Sequence, residues 1–320
     1  MSELGDKYWN RKFLLISSGV SAGVNFLNSI IIVKFIGYDV FGIWLTLKSL
    51  SQIFSLFSLG VSNYFLFLNF ETEYLKGRKI RAISNIFSIP YLAFSSLIVI
   101  FLFDLENQII FIYVLYVLCV YLSNNLTLEA RAKKNGKVIF QSNLIESILG
   151  ILFLVGFILF PKFELFLSFQ SIRFFIKYLY QKINLDRNLA FTGEYKFESV
   201  EVFNIVYESF KIHLRNWIQT VTQYGDKIVL PIIFSFSVNG FLGMGSNFAL
   251  PVIMLISSTS LILIPKVIEN KSRELITIEF EDKLAEVFEI STLISFSLPF
   301  FFFVAGLKEW TLLILGFWLS

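Results

Sequence analysis

The chain has 320 residues, of which 56% are apolar and only 16% are charged. Because soluble globular domains carry about 25% charged residues, this composition excludes an ordinary soluble domain. The single cysteine, Cys119, excludes a disulfide framework and any cysteine metal cluster. The single histidine, His213, excludes a histidine-based metal site and leaves little material for histidine-centred catalysis.

The N-terminus has a polar stretch, residues 1–12, followed by a long apolar one from Phe13 to Phe35. A secretory signal has an apolar core of only about 7–15 residues, so we interpret this segment as an uncleaved first membrane span. Eight further stretches reach the roughly 20 apolar residues that a transmembrane helix needs. The nine predicted spans are 13–34, 41–67, 82–103, 109–130, 138–160, 163–183, 205–234, 238–265 and 284–306.

A tenth apolar stretch begins near Trp310, and we expect the chain to stop before this span is complete. The apolar runs are too continuous for the alternating strands of a transmembrane barrel. The sequence therefore predicts an all-α protein, a polytopic transmembrane helical bundle.

Loops that are rich in lysine and arginine alternate with loops that are poor in them along the nine predicted spans. The rich loops contain clusters such as those in 76–81 and 131–137, whereas the poor loops contain only Lys34, Lys162 and Lys308. Because cytoplasmic loops carry an excess of Lys and Arg, this pattern predicts a cytoplasmic N-terminus and short exterior loops.

The seventh predicted span carries a polar stripe. Its residues recur at spacings of three and four, which is one helical face: Glu208, Lys211, Arg215, Gln219, Thr222 and Asp226. A charge at the centre of a membrane helix costs about 2.5–3.5 kcal/mol, so we expect this face to line water or to meet other polar helices. For Glu208 and Lys211, which lie near the predicted cytoplasmic end, snorkelling to the surface is an alternative.

Other predicted spans carry polar faces as well. Gln170, Arg173 and Lys177 share one face of the sixth span, and Lys48 lies in the second. In the first span, Ser18, Ser21, Asn25 and Asn28 share a face, for which hydrogen bonding between helices is the alternative to a functional role. Ionisable groups at membrane depth indicate function by default.

These positions together predict a cationic interior that attracts an anion. Arginine can bind a phosphate group through two parallel hydrogen bonds, whereas lysine acts as a point charge. The candidate substrate-binding residues are Lys48, Arg173, Lys177, Lys211, Arg215 and Lys227. Asp226 and Glu146 are the candidates for ion coupling, and we predict no catalytic residue, no metal and no cofactor.

Four short segments resemble a known family. They are the link Phe35–Trp44 between the first two spans, Phe57–Gly60, Tyr224–Ile228 with Asp226 at its centre, and Leu263–Lys266. In order and spacing they are similar to segments of the polysaccharide flippases, the Wzx-type O-antigen translocases of the multidrug/oligosaccharidyl-lipid/polysaccharide exporter superfamily.

This resemblance implies two six-helix lobes around a central cavity, working by alternating access. We expect residues 1–190 to form the N-terminal lobe, 191–204 a cytoplasmic linker, and 205–320 an incomplete C-terminal lobe. The match of Val40-Phe41-Gly42 with Val238-Asn239-Gly240 favours such a repeat independently.

The resemblance also implies the function. We expect a non-enzymatic flippase of the bacterial inner membrane that moves an undecaprenyl-diphosphate-linked oligosaccharide, an O-antigen or capsule repeat unit, to the outer leaflet. A polysaccharide polymerase and a chain-length regulator are the expected protein partners, besides membrane lipids, and no nucleic acid. The alternatives are a multidrug exporter of the same superfamily, whose cavity would more often be acidic, and an integral-membrane polysaccharide polymerase.

Overall fold

The computed structural model describes residues 2–67, 74–103, 105–133, 135–186 and 199–245. Within these ranges every regular element is helical, which confirms the predicted all-α class for this part of the chain. The helices are α1 (Ser2–Phe54), α2 (Tyr74–Leu102), α3 (Asn107–Ala132), α4 (Gly136–Leu159), α5 (Phe163–Asp186), α6 (Ser199–Tyr224), α7 (Asp226–Ile233) and α8 (residues 236–245).

Four segments in the described ranges are long and apolar enough to cross a membrane. They are Gly19–Ser58, Lys79–Phe101, Asn107–Ala132 and Gly136–Leu159. The predicted third to sixth spans coincide with α2 to α5, although α5 carries too much charge to be counted with these four.

Helix α1 is broken at Gly37, where φ is 91° and ψ is 174°. This region of φ is open to glycine and strained for other residues. Asn25 from before the break and Lys48 from after it line one common cavity. In a straight helix about 35 Å would separate them, so α1 folds back as a hairpin of two arms, residues 2–36 and 38–54.

The second predicted span, 41–67, is wrong as one continuous helix. The α-helix ends at Phe54 and gives way to two 3₁₀ turns, Ser55–Ser58 and Val61–Phe67. Between the turns Leu59 and Gly60 both have positive φ, 51° and 59°, which stops a right-handed helix. The apolar run continues through this stretch, so hydropathy alone could not locate the end.

The seventh predicted span, 205–234, is likewise interrupted. Gly225 separates α6 from α7, and α6 begins at Ser199, inside the predicted linker 191–204. The predicted eighth span begins within α8, whereas its remainder and the ninth and tenth spans lie outside the described residues.

The described bundle has an apolar exterior and charged groups inside. Exposed apolar side chains follow one another along the outer faces of α2, α4 and α5. They are Ile86, Ile89, Leu97, Ile100, Phe101, Ile151, Leu152, Val155, Leu159, Ile172, Phe175 and Ile183. Exposed apolar side chains in this number indicate contact with lipid or a partner, and together with the four candidate spans they are typical of a membrane protein.

Candidate functional site

A buried ion-pair cluster joins α4 to α5. One oxygen of Glu146 lies 2.7 Å from Arg173 Nη2, and the other lies 2.6 Å from Lys177 Nζ. Arg173 and Lys177 are one helical turn apart and therefore share a face. Arg173 is only 1% exposed. One carboxylate thus balances two buried cations, and the cluster keeps an excess of positive charge.

The Arg173 guanidinium is held on two further sides. Its Nη1 donates to Gln170 Oε1 at 3.3 Å, and its Nη2 donates to Asn25 Oδ1 at 3.1 Å. Gly150 on α4 makes room for this group, because a Cβ there would lie 3.3 Å from Arg173 Cζ and 2.7 Å from Val24. The sequence pattern grouped Gln170 with Arg173, but the contribution of Gly150 became visible only in the fold.

A cavity of about 90 Å³, lined by both polar and apolar side chains, adjoins this cluster. It lies between the two arms of α1 and the helices α3 and α5, and its volume has room for several water-sized groups. Its lining is Asn25, Asn28, Ser29, Ile32, Phe41, Trp44, Leu45, Lys48, Tyr116, Phe166, Gln170 and Phe174. The predicted binding residue Lys48 therefore lines the same cavity as Asn25 and Gln170, the two amides that accept hydrogen bonds from Arg173.

Lys48 contributes a cation without a bound counter-charge. Its ammonium makes no hydrogen bond or ion pair with any residue in the described ranges. The cavity and the adjoining ion-pair cluster together contain three basic side chains, Lys48, Arg173 and Lys177, and one carboxylate, Glu146.

The stripe on α6 lies apart from this cluster. Lys211 and Arg215 are exposed, and Lys211 pairs with Glu208 at 3.0 Å. Gln219, Thr222 and Asp226 are exposed as well. No other described element covers this polar face. The structure therefore brings together Lys48, Arg173, Lys177 and Glu146, and it leaves Lys211 and Arg215 on a separate surface.

The two candidates for ion coupling have different surroundings. Both oxygens of Glu146 are occupied by cations. The side chain of Asp226 is 60% exposed, lies 3.6 Å from Lys227 Nζ, and accepts a hydrogen bond from the Lys227 backbone N–H at 2.8 Å. Asp226 is accordingly the more accessible carboxylate.

A second ion network, which sequence reasoning missed, joins the ends of α2, α3 and α5. Arg81 donates to both oxygens of Glu129, at 2.8 and 2.6 Å, and contacts Asp186. Lys133 also pairs with Glu129, at 2.6 Å. The sequence offered a signal in Glu129, an acidic residue next to a loop that is rich in lysine and arginine. That loop was used only to predict the topology.

The two links that follow the first and seventh predicted spans contact each other reciprocally. A Cβ at Gly42 would overlap the carbonyl of Phe236, and a Cβ at Gly240 would overlap the carbonyl of Tyr38. Asn239 Nδ2 lies 3.2 Å from the Gly42 carbonyl and 2.9 Å from Thr46 Oγ1. The contact of 42 with 236 is thus mirrored by that of 240 with 38.

The chemistry of the cluster is electrostatic. It offers fixed positive charge and hydrogen-bond donors in an apolar surround, and no group of three or more potential metal ligands occurs among the described residues. The field of such an arrangement attracts anions and repels cations. No family model, no curated protein and no solved structure matches this chain.

Proposed function

We propose that the chain is a flippase of the polysaccharide exporter type. It moves an oligosaccharide linked to undecaprenyl diphosphate, an O-antigen or capsule repeat unit, from the cytoplasmic to the outer leaflet of the bacterial inner membrane. The observation that carries this proposal is the excess of buried positive charge, Lys48, Arg173 and Lys177 against Glu146.

The sign of this charge selects the class of substrate. In a low-dielectric interior the attraction between unit charges is several-fold stronger than in water. A diphosphate group gains from such a field, whereas a cationic drug is repelled by it. This argues against the multidrug exporter. The polymerase alternative lacks support from the cluster, whose carboxylate is held by two cations and is not poised to accept a proton.

Two features support an arrangement in two lobes that move by alternating access. The reciprocal contact of residues 38–42 with 236–240 is what a local two-fold relation between two repeats would produce. The exposed polar face of α6 carries Arg215 and Lys211 and would line a path between the lobes. We propose that Arg215 meets the diphosphate there, and that Asp226 is the group available to a coupling cation.

The orientation follows from the loops. The lysine- and arginine-rich ends that include Arg81 and Lys133 are proposed to be cytoplasmic, so the substrate enters from the side of the Arg81–Glu129 network. The exposed apolar side chains of α4 and α5 would face the lipid, in which the polyprenyl tail remains.

Export of a repeat unit in a bacterial strain without its own flippase tests this proposal. When the chain is part of a protein with both six-helix lobes, that protein should restore surface polysaccharide, and Arg173→Gln should abolish most of it at equal membrane abundance. Lys34→Gln is the matched control, because Lys34 lies on α1 and is exposed. No surface polysaccharide from the unaltered two-lobe protein would contradict the proposal, as would full export by Arg173→Gln.

A further inference from the structure

The cavity beside Arg173 is lined by hydrogen-bond donors that lack acceptors. The Lys48 ammonium, on the second arm of α1, has no partner in the described part of the chain. An unpaired buried donor costs free energy, so an acceptor at this place would be stabilising.

The side-chain amides of Asn25 and Gln170 direct their oxygen atoms toward Arg173 and their NH2 groups away from it. A guanidinium can only donate, so Asn25 Oδ1 and Gln170 Oε1 must be the atoms that face it. Their nitrogen atoms consequently point elsewhere, and neither has a hydrogen-bond partner among the described residues. Both side chains line the cavity. The cavity therefore combines one ammonium with two amide groups that can donate.

We infer that this cavity is a binding site for a small monovalent inorganic anion of the size of chloride. The anion would accept from Lys48 and from the amide nitrogens of Asn25 and Gln170, and it would offset part of the excess positive charge of Lys48, Arg173 and Lys177 over Glu146. A cation would be repelled by the Lys48 ammonium, and a water molecule would leave that ammonium without a counter-charge. The volume of about 90 Å³ admits the ion with some of its hydration water.

The site includes Lys48, one of the buried cations on which the proposed function rests, but it is separate from the exposed polar face of α6. All of its lining residues come from α1, α3 and α5, and none comes from α6. It is thus enclosed by one set of helices, away from the exposed face of Arg215. The inference does not require that the chain transports a lipid-linked sugar.

Binding of radiolabelled chloride to the purified chain, by scintillation proximity in chloride-free gluconate buffer, tests the inference. The unaltered protein should bind chloride saturably. Lys48→Gln should weaken binding about ten- to a hundredfold, as expected for the loss of one charge-assisted hydrogen bond. Lys48→Arg should retain binding, and so should Lys34→Gln, the exposed control on the same helix.

Two results would overturn the inference. The first is an absence of saturable binding by the unaltered protein, which needs no variant and is therefore independent of folding defects. The second is complete displacement of chloride by a short-chain phosphatidic acid, because the site would then take lipid phosphate from the bilayer. Since no lipid-linked sugar enters this assay, its outcome is separate from that of the export experiment.

Discussion

Gly42 and Gly240 lie so close to each other and to the backbone around them that neither position has room for a side chain. A Cβ on Gly42 would overlap Phe236, and a Cβ on Gly240 would overlap Tyr38. This mutual fit explains why glycine occurs at both positions of the repeated Val-x-Gly segment. It also identifies a contact at which residues 38–42, after the first predicted span, pack backbone to backbone against residues 236–240, after the seventh.

Alanine at Gly42 or Gly240 should therefore destabilise the protein. Overpacking of this kind costs about 1–3 kcal/mol, and here the obstacle is backbone rather than a movable side chain. The midpoint of thermal unfolding in detergent measures the effect.

Gly23→Ala serves as the control, because a Cβ at Gly23 would meet nothing within 4 Å. Its alanine variant should be neutral or more stable by about 0.5–1 kcal/mol, since alanine favours the helix. Equal stability of the Gly42→Ala and Gly23→Ala proteins would show that the close contact does not form.

Removing the charge of Glu146 should be strongly destabilising. Glu146→Gln leaves Arg173 and Lys177 buried without a carboxylate, and breaking a buried pair in this way costs about 3–5 kcal/mol. Denaturant unfolding of the purified variants, followed by intrinsic tryptophan fluorescence, provides the measurement.

The exposed pair Glu208–Lys211 supplies the comparison. Glu208→Gln should leave the free energy of unfolding almost unchanged, because exposed pairs are screened by solvent. If the Glu146→Gln and Glu208→Gln proteins are equally stable, the charges of Arg173 and Lys177 are not balanced by Glu146. The buried ion-pair cluster would then be wrong.

Much of the helical fold was accessible from the sequence because hydropathy reports length and polarity. The predicted 109–130 and 138–160 correspond closely to Asn107–Ala132 and Gly136–Leu159. Breaks inside an apolar run were not accessible. The positive φ of Leu59 has no signature in composition, so the end of the helix at Phe54 was missed.

In the candidate site, too, some features could be predicted from the sequence and others could not. Helical spacing placed Arg173 and Lys177 on one face, which the structure confirms through their common partner. The identity of that partner, Glu146, depends on how α4 packs against α5, and spacing within one helix carries no such information. For the same reason, Lys48 and Arg215 looked alike in the sequence although they lie on different surfaces.

The membrane topology makes a prediction for single cysteines in a Cys119→Ser background. Lys137 and Lys162 are both exposed and lie just inside α4 and just after it. Lys162→Cys should react with a membrane-impermeant maleimide in intact cells, whereas Lys137→Cys should react only after the cells are opened, because lysine- and arginine-rich loops are cytoplasmic. Labelling of Lys137→Cys alone in intact cells would invert the orientation.

Translocation by the purified chain in vesicles tests the central claim most directly. Two fluorescent substrates carry the same oligosaccharide, one on undecaprenyl diphosphate and one on an uncharged lipid, and exposure of the sugar to an external lectin reports transfer between leaflets. The account predicts that the protein accelerates transfer of the diphosphate-linked form and has little effect on the uncharged one. Equal acceleration of both forms, or none of either, would contradict a transporter that selects its substrate through buried positive charge.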